Sequence, residues 1–326
     1  MNSPRTAVVL LQLGGPDSLE SVEPFLFNLF CDPDIIDLPL AFLFRERLAR
    51  LISSRRAPKA REYYRKIGGR SPILKLTRRQ ASALESALRT SLDVPVLIAM
   101  RYWHPLTEAV LDEIVRRRIE RVILLPLYPH YSRTTTGSSV NEWKREMKQK
   151  GITGIHVDIV EEYCEHPSYI KALVNAITIA MNRVPARDRE KIHLVFSAHG
   201  TPMKLVRSGD PYQQQIIRTY EAVVRAGEFG VPHSLCYQSK VGPQKWLEPS
   251  LMATVDRLAG EGATHLVVVP IAFVSDHSET LYEINMEVRK HAMDLGIRYF
   301  DMSPALNTNS FFIRALADVV LRKGAE

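Results

Sequence analysis

The stretch HLVVVPIAFVSDHSETLYE (residues 265–283) starts as an apolar run closed by proline and continues as a helical pattern. Asp276, His277 and Glu279 sit at the join. The same order of events appears earlier, in RVILLPLYPHYS (121–132), where a proline again ends the apolar run. Two further pairs follow suit. AVVLLQLGGP (7–16) and KIHLVFSAHGTP (191–202) are both strands entering a tight loop, and VPVLIAMRYWHP (94–105) and VPHSLCYQSKVGP (231–243) both end in polar and aromatic groups. Three matched strand ends in one order predict a duplicated α/β unit, with helices covering parallel strands. Parallel sheets bind ligands beyond the carboxyl ends of their strands. Those ends are Gly14-Gly15, Arg101-Tyr102, Tyr128 to Ser132, Ser197 to His199, Gln238 to Lys240 and Asp276 to Glu279. Two halves that faced each other would bring these groups to one cleft.

The bulk composition limits the function classes. A chain of 326 residues, 45% hydrophobic and 24% charged, has the make-up of a soluble globular protein with a sizeable core. Cys31, Cys164 and Cys236 are odd in number and never form a C-x-x-C pair. That argues against a disulfide framework, a structural zinc site and an iron–sulfur cluster, and it suits a reducing cytosol. The N-terminus reads as a first strand and turn, with no signal-peptide cleavage pattern. No apolar run approaches the roughly 18 residues that span a bilayer. The expectation is a cytoplasmic protein that at most rests on a membrane.

The net charge of +7 is concentrated. Residues 45–70 hold ten Lys/Arg and two Glu, a local +8 that exceeds the whole net excess. LPLAFLF (38–44) runs directly before them, apolar enough to line a cleft lip or touch lipid. Such a segment fits anionic lipid or an anionic substrate, the alternative being a solvated helix face. Nucleic acid is not expected, because no nucleic-acid-binding motif accompanies the charge.

Two polar groups stand out at strand ends. His199 follows an apolar strand and precedes Gly200, which permits close approach. Ser197 beside it lacks a nucleophile elbow. Asp276-x-x-Glu279 matches a capping box, with Asp276 as N-cap and Glu279 at N3, so local stability alone could account for both acids. Against that, Glu279, Glu283 and Glu287 recur at four-residue spacing, where like charges repel by a few tenths of a kcal/mol per pair. A cation path would use such a row. Imidazoles and carboxylates without thiolates form a nitrogen/oxygen site suited to a loosely held divalent iron, cobalt or zinc ion. A histidine of ordinary pKa could equally accept a proton near neutral pH.

LLQLGGP, YYRKIGGRSPI, MRYWHP, LYPHYSRTTTGSS, FSAHGTP, YQSKVGPQKWLEP and FVSDHSETLYEI, taken in order, resemble the ferrochelatases over nearly the whole chain. The resemblance implies insertion of Fe(II) into a porphyrin with release of two protons. It implies two Rossmann-like domains facing across a porphyrin cleft: residues 1–160, joined by a terminal helix over 305–326, and residues 161–304. His199 and Glu279 inherit the facing catalytic positions, with His199 taking protons or binding metal. His277 and Asp276 would support Glu279, and Glu283 would join His199 and Glu279 on the metal path. Arg101, Tyr102, Trp246 and Phe273 match positions near the macrocycle, and Arg56, Tyr64 and Ser71 match positions holding its carboxylates. Iron is then a substrate and no resident cofactor is expected. Members with a [2Fe–2S] cluster carry a cysteine in the YSxxTTGSS loop and three near the C-terminus; here the loop has Arg133 and no cysteine follows Cys236. A monomer is expected, with peripheral membrane contact through residues 38–56. Protoporphyrin is preferred over coproporphyrin as substrate. The rivals are a cobalt or nickel chelatase for another tetrapyrrole, and a non-catalytic porphyrin carrier.

Overall fold

The computed structural model describes residues 4–36, 44–240 and 244–325. Most of the apolar lip expected at 38–44 therefore lies outside the described residues. The chain divides into two compact units. The first runs up to Glu162 and resumes at Ile313; the second is Tyr163–Phe312.

Each unit is built on a parallel four-stranded sheet. In the first unit these are β1 (Thr6–Gln12), β2 (Val96–Met100), β3 (Arg121–Pro126) and β4 (His156–Ile159), ordered β2-β1-β3-β4. In the second they are β5 (Ile192–His199), β6 (His233–Gln238), β7 (His265–Pro270) and β8 (Tyr299–Met302), ordered β6-β5-β7-β8. The two orders are the same, so the internal echo is a repeat of topology. Even the prolines correspond: Pro126 faces Leu11 on β1, and Pro270 faces Ser197 on β5. Proline is tolerated there because each sits at the last residue of its strand, where the ladder stops.

The central strands carry long apolar runs because helices cover both faces of the sheet. Val8, Val9 and Leu10 on β1 and Leu194, Val195 and Phe196 on β5 are fully buried. On one face of the first sheet, Ala7, Val9, Leu11 and Leu124 pack with Leu111, Ile114 and Trp143 from helices Thr107–Arg116 and Ser138–Gln149. In the second unit Val195, Cys236 and Val268 pack with Val255, Leu258, Ile284 and Val288.

The basic segment forms one helix, Arg45–Lys66, whose buried residues are Ala49, Ser53, Ala57 and Tyr64. Small side chains at four-residue spacing let it lie closely on helix Val22–Cys31. Arg61 donates to the Leu19 carbonyl and to Glu23, 3.1 Å each, fixing the pair. Among the described residues no helix is long and apolar enough to cross a membrane.

Candidate active site

The second unit gathers its polar groups where β5 and β6 end. His199, the last residue of β5, pairs in register with Gln238, the last of β6. Gly200 then donates to the Gln238 carbonyl at 2.8 Å. A Cβ at this glycine would stand 2.9 Å from that oxygen and 3.3 Å from the Trp246 ring, so only glycine allows the approach. The following residues bond to the loop after β6. Leu247 donates to the Thr201 carbonyl at 3.0 Å and Met203 to the Lys245 carbonyl at 2.9 Å, with Pro202 opposite Trp246. This short ladder brings the Trp246 ring edge-on to His199, with centroids 6.4 Å apart. Phe273 meets His199 from its own loop at the same 6.4 Å separation, also edge-on.

Glu279 reaches His199 from the opening turn of the following helix. Its Oε2 lies 2.8 Å from His199 Nδ1, which leaves Nε2 as the ring's remaining nitrogen. Burial works against the imidazolium, but the charge and hydrogen bond of Glu279, with the charge of Glu283, raise the His199 pKa overall. Burial likewise works against the Glu279 carboxylate, and the charge and bond of His199 outweigh it, lowering the Glu279 pKa. Each partner thus favours the charged form of the other. Glu283 behaves oppositely: burial and the neighbouring Glu279 charge push its pKa up, to about 7. Protonation of Glu283 near that value would relieve the like-charge repulsion expected along the row.

Ser239 joins the two carboxylates. Its hydroxyl lies 3.0 Å from Glu279 Oε2 and 2.6 Å from Glu283 Oε2, and its backbone N–H donates to Glu283 Oε1 at 3.0 Å. One hydroxyl hydrogen can be aimed well at only one carboxylate, so a second bond needs a proton on Glu283. Ser239 adopts φ +66°, a left-handed backbone that a non-glycine residue holds only when its surroundings over-determine it. The sequence marks Ser239 as part of a strand end but does not single it out. Its sign is a polar residue directly after a buried strand.

The segment after Glu279 differs from the expected regular helix: Glu279–Val288 is a π-helix that passes into the α-helix Arg289–Asp294. Such wide turns concentrate at functional sites. The capping-box reading is also overturned. Asp276 accepts from the Thr280 hydroxyl at 3.3 Å and from Asn307 Nδ2 at 3.2 Å, while Glu279 turns to His199 and Ser239. The N–H of His277 finds Thr280 Oγ1 at 3.1 Å. Asp276 therefore anchors the junction to the Asn307 loop and makes no bond to Glu279. His277 stays nearer the centre. It donates from Nδ1 to the Ser275 carbonyl at 3.1 Å, and its ring lies 4.5 Å from Phe273. Its Nε2 is 3.8 Å from Glu279 Oε1, beyond hydrogen-bond reach. Burial lowers its pKa despite the Glu279 charge, so it is a neutral imidazole. Glu287, further along, is exposed.

No cluster of three or more metal-ligating side chains is assembled among the described residues. His199, Glu279 and Glu283 are neighbours, but their facing atoms are bonded to one another and to Ser239. The set can hold and exchange protons as it stands, and would receive a metal only by opening those bonds.

The residues expected in the first unit fare differently. Tyr102 is completely buried and donates to Asp32 Oδ2 at 2.5 Å. Arg101 is nearly as buried and is held by Asp32 at 3.0 Å, Glu142 at 3.2 Å and the Ser138 hydroxyl at 2.9 Å. Neither is placed to grip a ligand: a fully buried phenol has no free face, and the guanidinium is already paired. Both belong to a network centred on Asp32, which also accepts from Ser138 and from the N–H of Asp34. Burial disfavours the Asp32 carboxylate, but Arg101 and the hydroxyls of Ser138 and Tyr102 lower its pKa overall. Arg56 is exposed on the basic helix with its guanidinium 5.5 Å from the Phe30 ring centroid. Tyr64 is buried on the same helix. Ser71 donates its N–H to the Pro16 carbonyl at 2.7 Å and lies over Gly15, where a Cβ would come within 2.6 Å of its hydroxyl.

Comparison with known proteins gives a consistent answer. The Ferrochelatase family model matches residues 5–324. The chain is 48% identical over 319 residues to the ferrochelatase of Geotalea daltonii, covering 98% of both chains. It is 45% identical over 316 residues to that of Aquifex aeolicus, covering 97% of this chain and 98% of the relative. Among solved structures it resembles SirB from Bacillus subtilis with Fe3+, at TM-score 0.57 and 13% identity, over 98% of this chain and 96% of that one. At that identity the likeness speaks for the fold alone.

Proposed function

The chain belongs to the ferrochelatase family of porphyrin metal chelatases, and from that premise we propose that it inserts Fe(II) into protoporphyrin IX, with release of two protons. The observation that carries this reading is the 2.8 Å bond between His199 and Glu279, flanked by Trp246 and Phe273. A porphyrin hides its nitrogen lone pairs in the ring plane behind two N–H groups, so insertion needs a proton acceptor beside an aromatic wall. His199 is that acceptor at Nε2, and Glu279 stabilises the imidazolium that forms. Glu283, with a pKa near the working pH, takes up or releases the second proton through Ser239. Fe(II) is a substrate that approaches along this acidic side. His277 and Phe273 hold the wall that the ring leans on.

Arg56 and Ser71 serve the porphyrin carboxylates, as charge-assisted and hydroxyl partners. Phe44 and Leu51 are exposed beside the arginines of the basic helix, which supports peripheral contact with an anionic membrane from the cytoplasmic side. The chain acts as a monomer and without a [2Fe–2S] cluster: its three cysteines are fewer than the four thiolates such a cluster takes.

The test is anaerobic mixing of the purified protein with Fe(II) and, in separate runs, protoporphyrin or coproporphyrin, following loss of porphyrin fluorescence. Rapid loss with wild type and none with His199→Ala is the expected result, with protoporphyrin the faster substrate. Tight porphyrin binding without any metal insertion would overturn the proposal in favour of a carrier.

A further inference from the structure

Next to the His199 ladder the second unit has a cavity of about 440 Å³, lined by Met203, Lys204, Arg207, Ser208, Gln244 and Lys245. Three of the six lining residues are cations and none is an acid. Among the described residues, no carboxylate lies within ion-pair distance of Arg207 or Lys245. Arg121, Arg145 and Lys191, by contrast with Arg207 and Lys245, each have a carboxylate partner. A concave cluster of like charges concentrates positive potential and attracts anions.

The position of the cavity identifies the anion. The bonds that join Thr201 to Leu247 and Met203 to Lys245 also hold Trp246 against His199. The cavity therefore opens from the same ladder, at its far end. Met203 is the fourth residue after His199, a span of at most about 14 Å of extended chain. A flat macrocycle with its nitrogens at His199 carries its acidic side arms at the rim, at a distance of this kind. We propose that Lys204, Arg207 and Lys245 form a subsite for carboxylate side arms of the tetrapyrrole whose centre reacts at His199 and Glu279. The subsite rests on the chelatase reading above. A ring with more carboxylates gains more from it. Gln244 and Ser208 add neutral hydrogen-bonding groups to the same wall.

The experiment measures dissociation constants by fluorescence quenching for protoporphyrin, its dimethyl ester and coproporphyrin, all in the same detergent. The proteins are wild type, the double variant Arg207→Gln/Lys245→Gln, and the charge-keeping double variant Arg207→Lys/Lys245→Arg. The neutral double variant is expected to bind at least one of the two acids roughly tenfold more weakly, with the ester within about twofold of wild type. The charge-keeping variant is expected to bind like wild type. Equal weakening for ester and acids, no weakening for any of them, or loss in the charge-keeping variant would each overturn the subsite. Iron insertion by wild type is scored in parallel. If wild type inserts iron and the neutral variant binds unchanged, only the subsite falls; if wild type inserts no iron into any porphyrin, the chelatase reading falls.

Discussion

His199 and Glu279 determine each other's protonation, and this makes the pair pH-sensitive in a defined direction. The raised His199 pKa stabilises the fold fully below its ordinary value of 6.5 and loses that contribution as pH rises through the raised value. The lowered Glu279 pKa stabilises the fold above 4.5 and loses that contribution as pH falls through the lowered value. The ion pair is strongest between those two ordinary values. Proton acceptance runs the other way: His199 accepts only once neutral, so the pH profile of kcat/KM should rise through its raised pKa. Replacing Glu279 by Gln removes the main group that opposes burial. The His199 pKa should then fall below 6.5, read from the pH titration of its ring proton by NMR. An unchanged titration would show that Glu279 does not govern the imidazole. The same variant should abolish metal insertion while porphyrin affinity stays within a few-fold. These two residues are legible in the sequence because each stands at or beyond the carboxyl end of a buried strand, beside a small or turn-forming neighbour. Ser239 is not, since its importance lies in a backbone angle and in bonds to residues 40 and 44 positions away.

At the level of elements, the strands are the legible part and the helix types are not. Buried parallel strands write themselves as unbroken apolar runs, and three matched runs predict the repeat. The fourth pair, HVDI on β4 and YFDM on β8, is short and half polar at the sheet edge, so no run announces it. The π-helix escapes because α- and π-turns place apolar residues at nearly the same spacing. Asp276-x-x-Glu279 likewise satisfies a capping pattern that tertiary bonds override. The Asp32 network is hidden for a different reason: its partners Tyr102 and Ser138 lie 70 and 106 residues away. It ties the end of helix Val22–Cys31 to the end of β2 and the start of helix Ser138–Gln149. Asp32→Asn leaves the Arg101 guanidinium buried with one carboxylate fewer and should cost about 3–5 kcal/mol, measured by urea denaturation. A loss under 1 kcal/mol would mean that Glu142 suffices. Gly200→Ala forces its methyl against the Gln238 carbonyl and should destabilise by about 1–3 kcal/mol while displacing Trp246, seen as a change in tryptophan fluorescence.

On the scale of the whole molecule, two sheets of one topology divide the chemistry unequally. The second unit carries His199, Glu279, Glu283 and Ser239; the equivalent strand ends of the first unit are occupied by the Asp32 network and by Ser71 against Gly15. The first unit is also discontinuous, since it is completed by the terminal helix Ser310–Ala325 from Ile313 onward. That helix buries Leu316 and Val320, and its Lys323 and Gly324 carbonyls accept from Arg121 at 2.8 and 3.0 Å. Deleting residues 313–326 should lower the melting temperature by several degrees, followed by circular dichroism. An unchanged melting curve would show the first unit to be complete without it. The same arrangement has a consequence during synthesis. The ribosome must make 164 further residues after Glu162 before the first unit's last helix exists. At about 5–20 residues per second that is roughly 10–30 s. Throughout that interval the nascent first half waits with the terminal helix's docking surface uncovered, and the last strand of the sheet bearing His199, Tyr299–Met302, is made before that helix. The first half to emerge is the last to be finished.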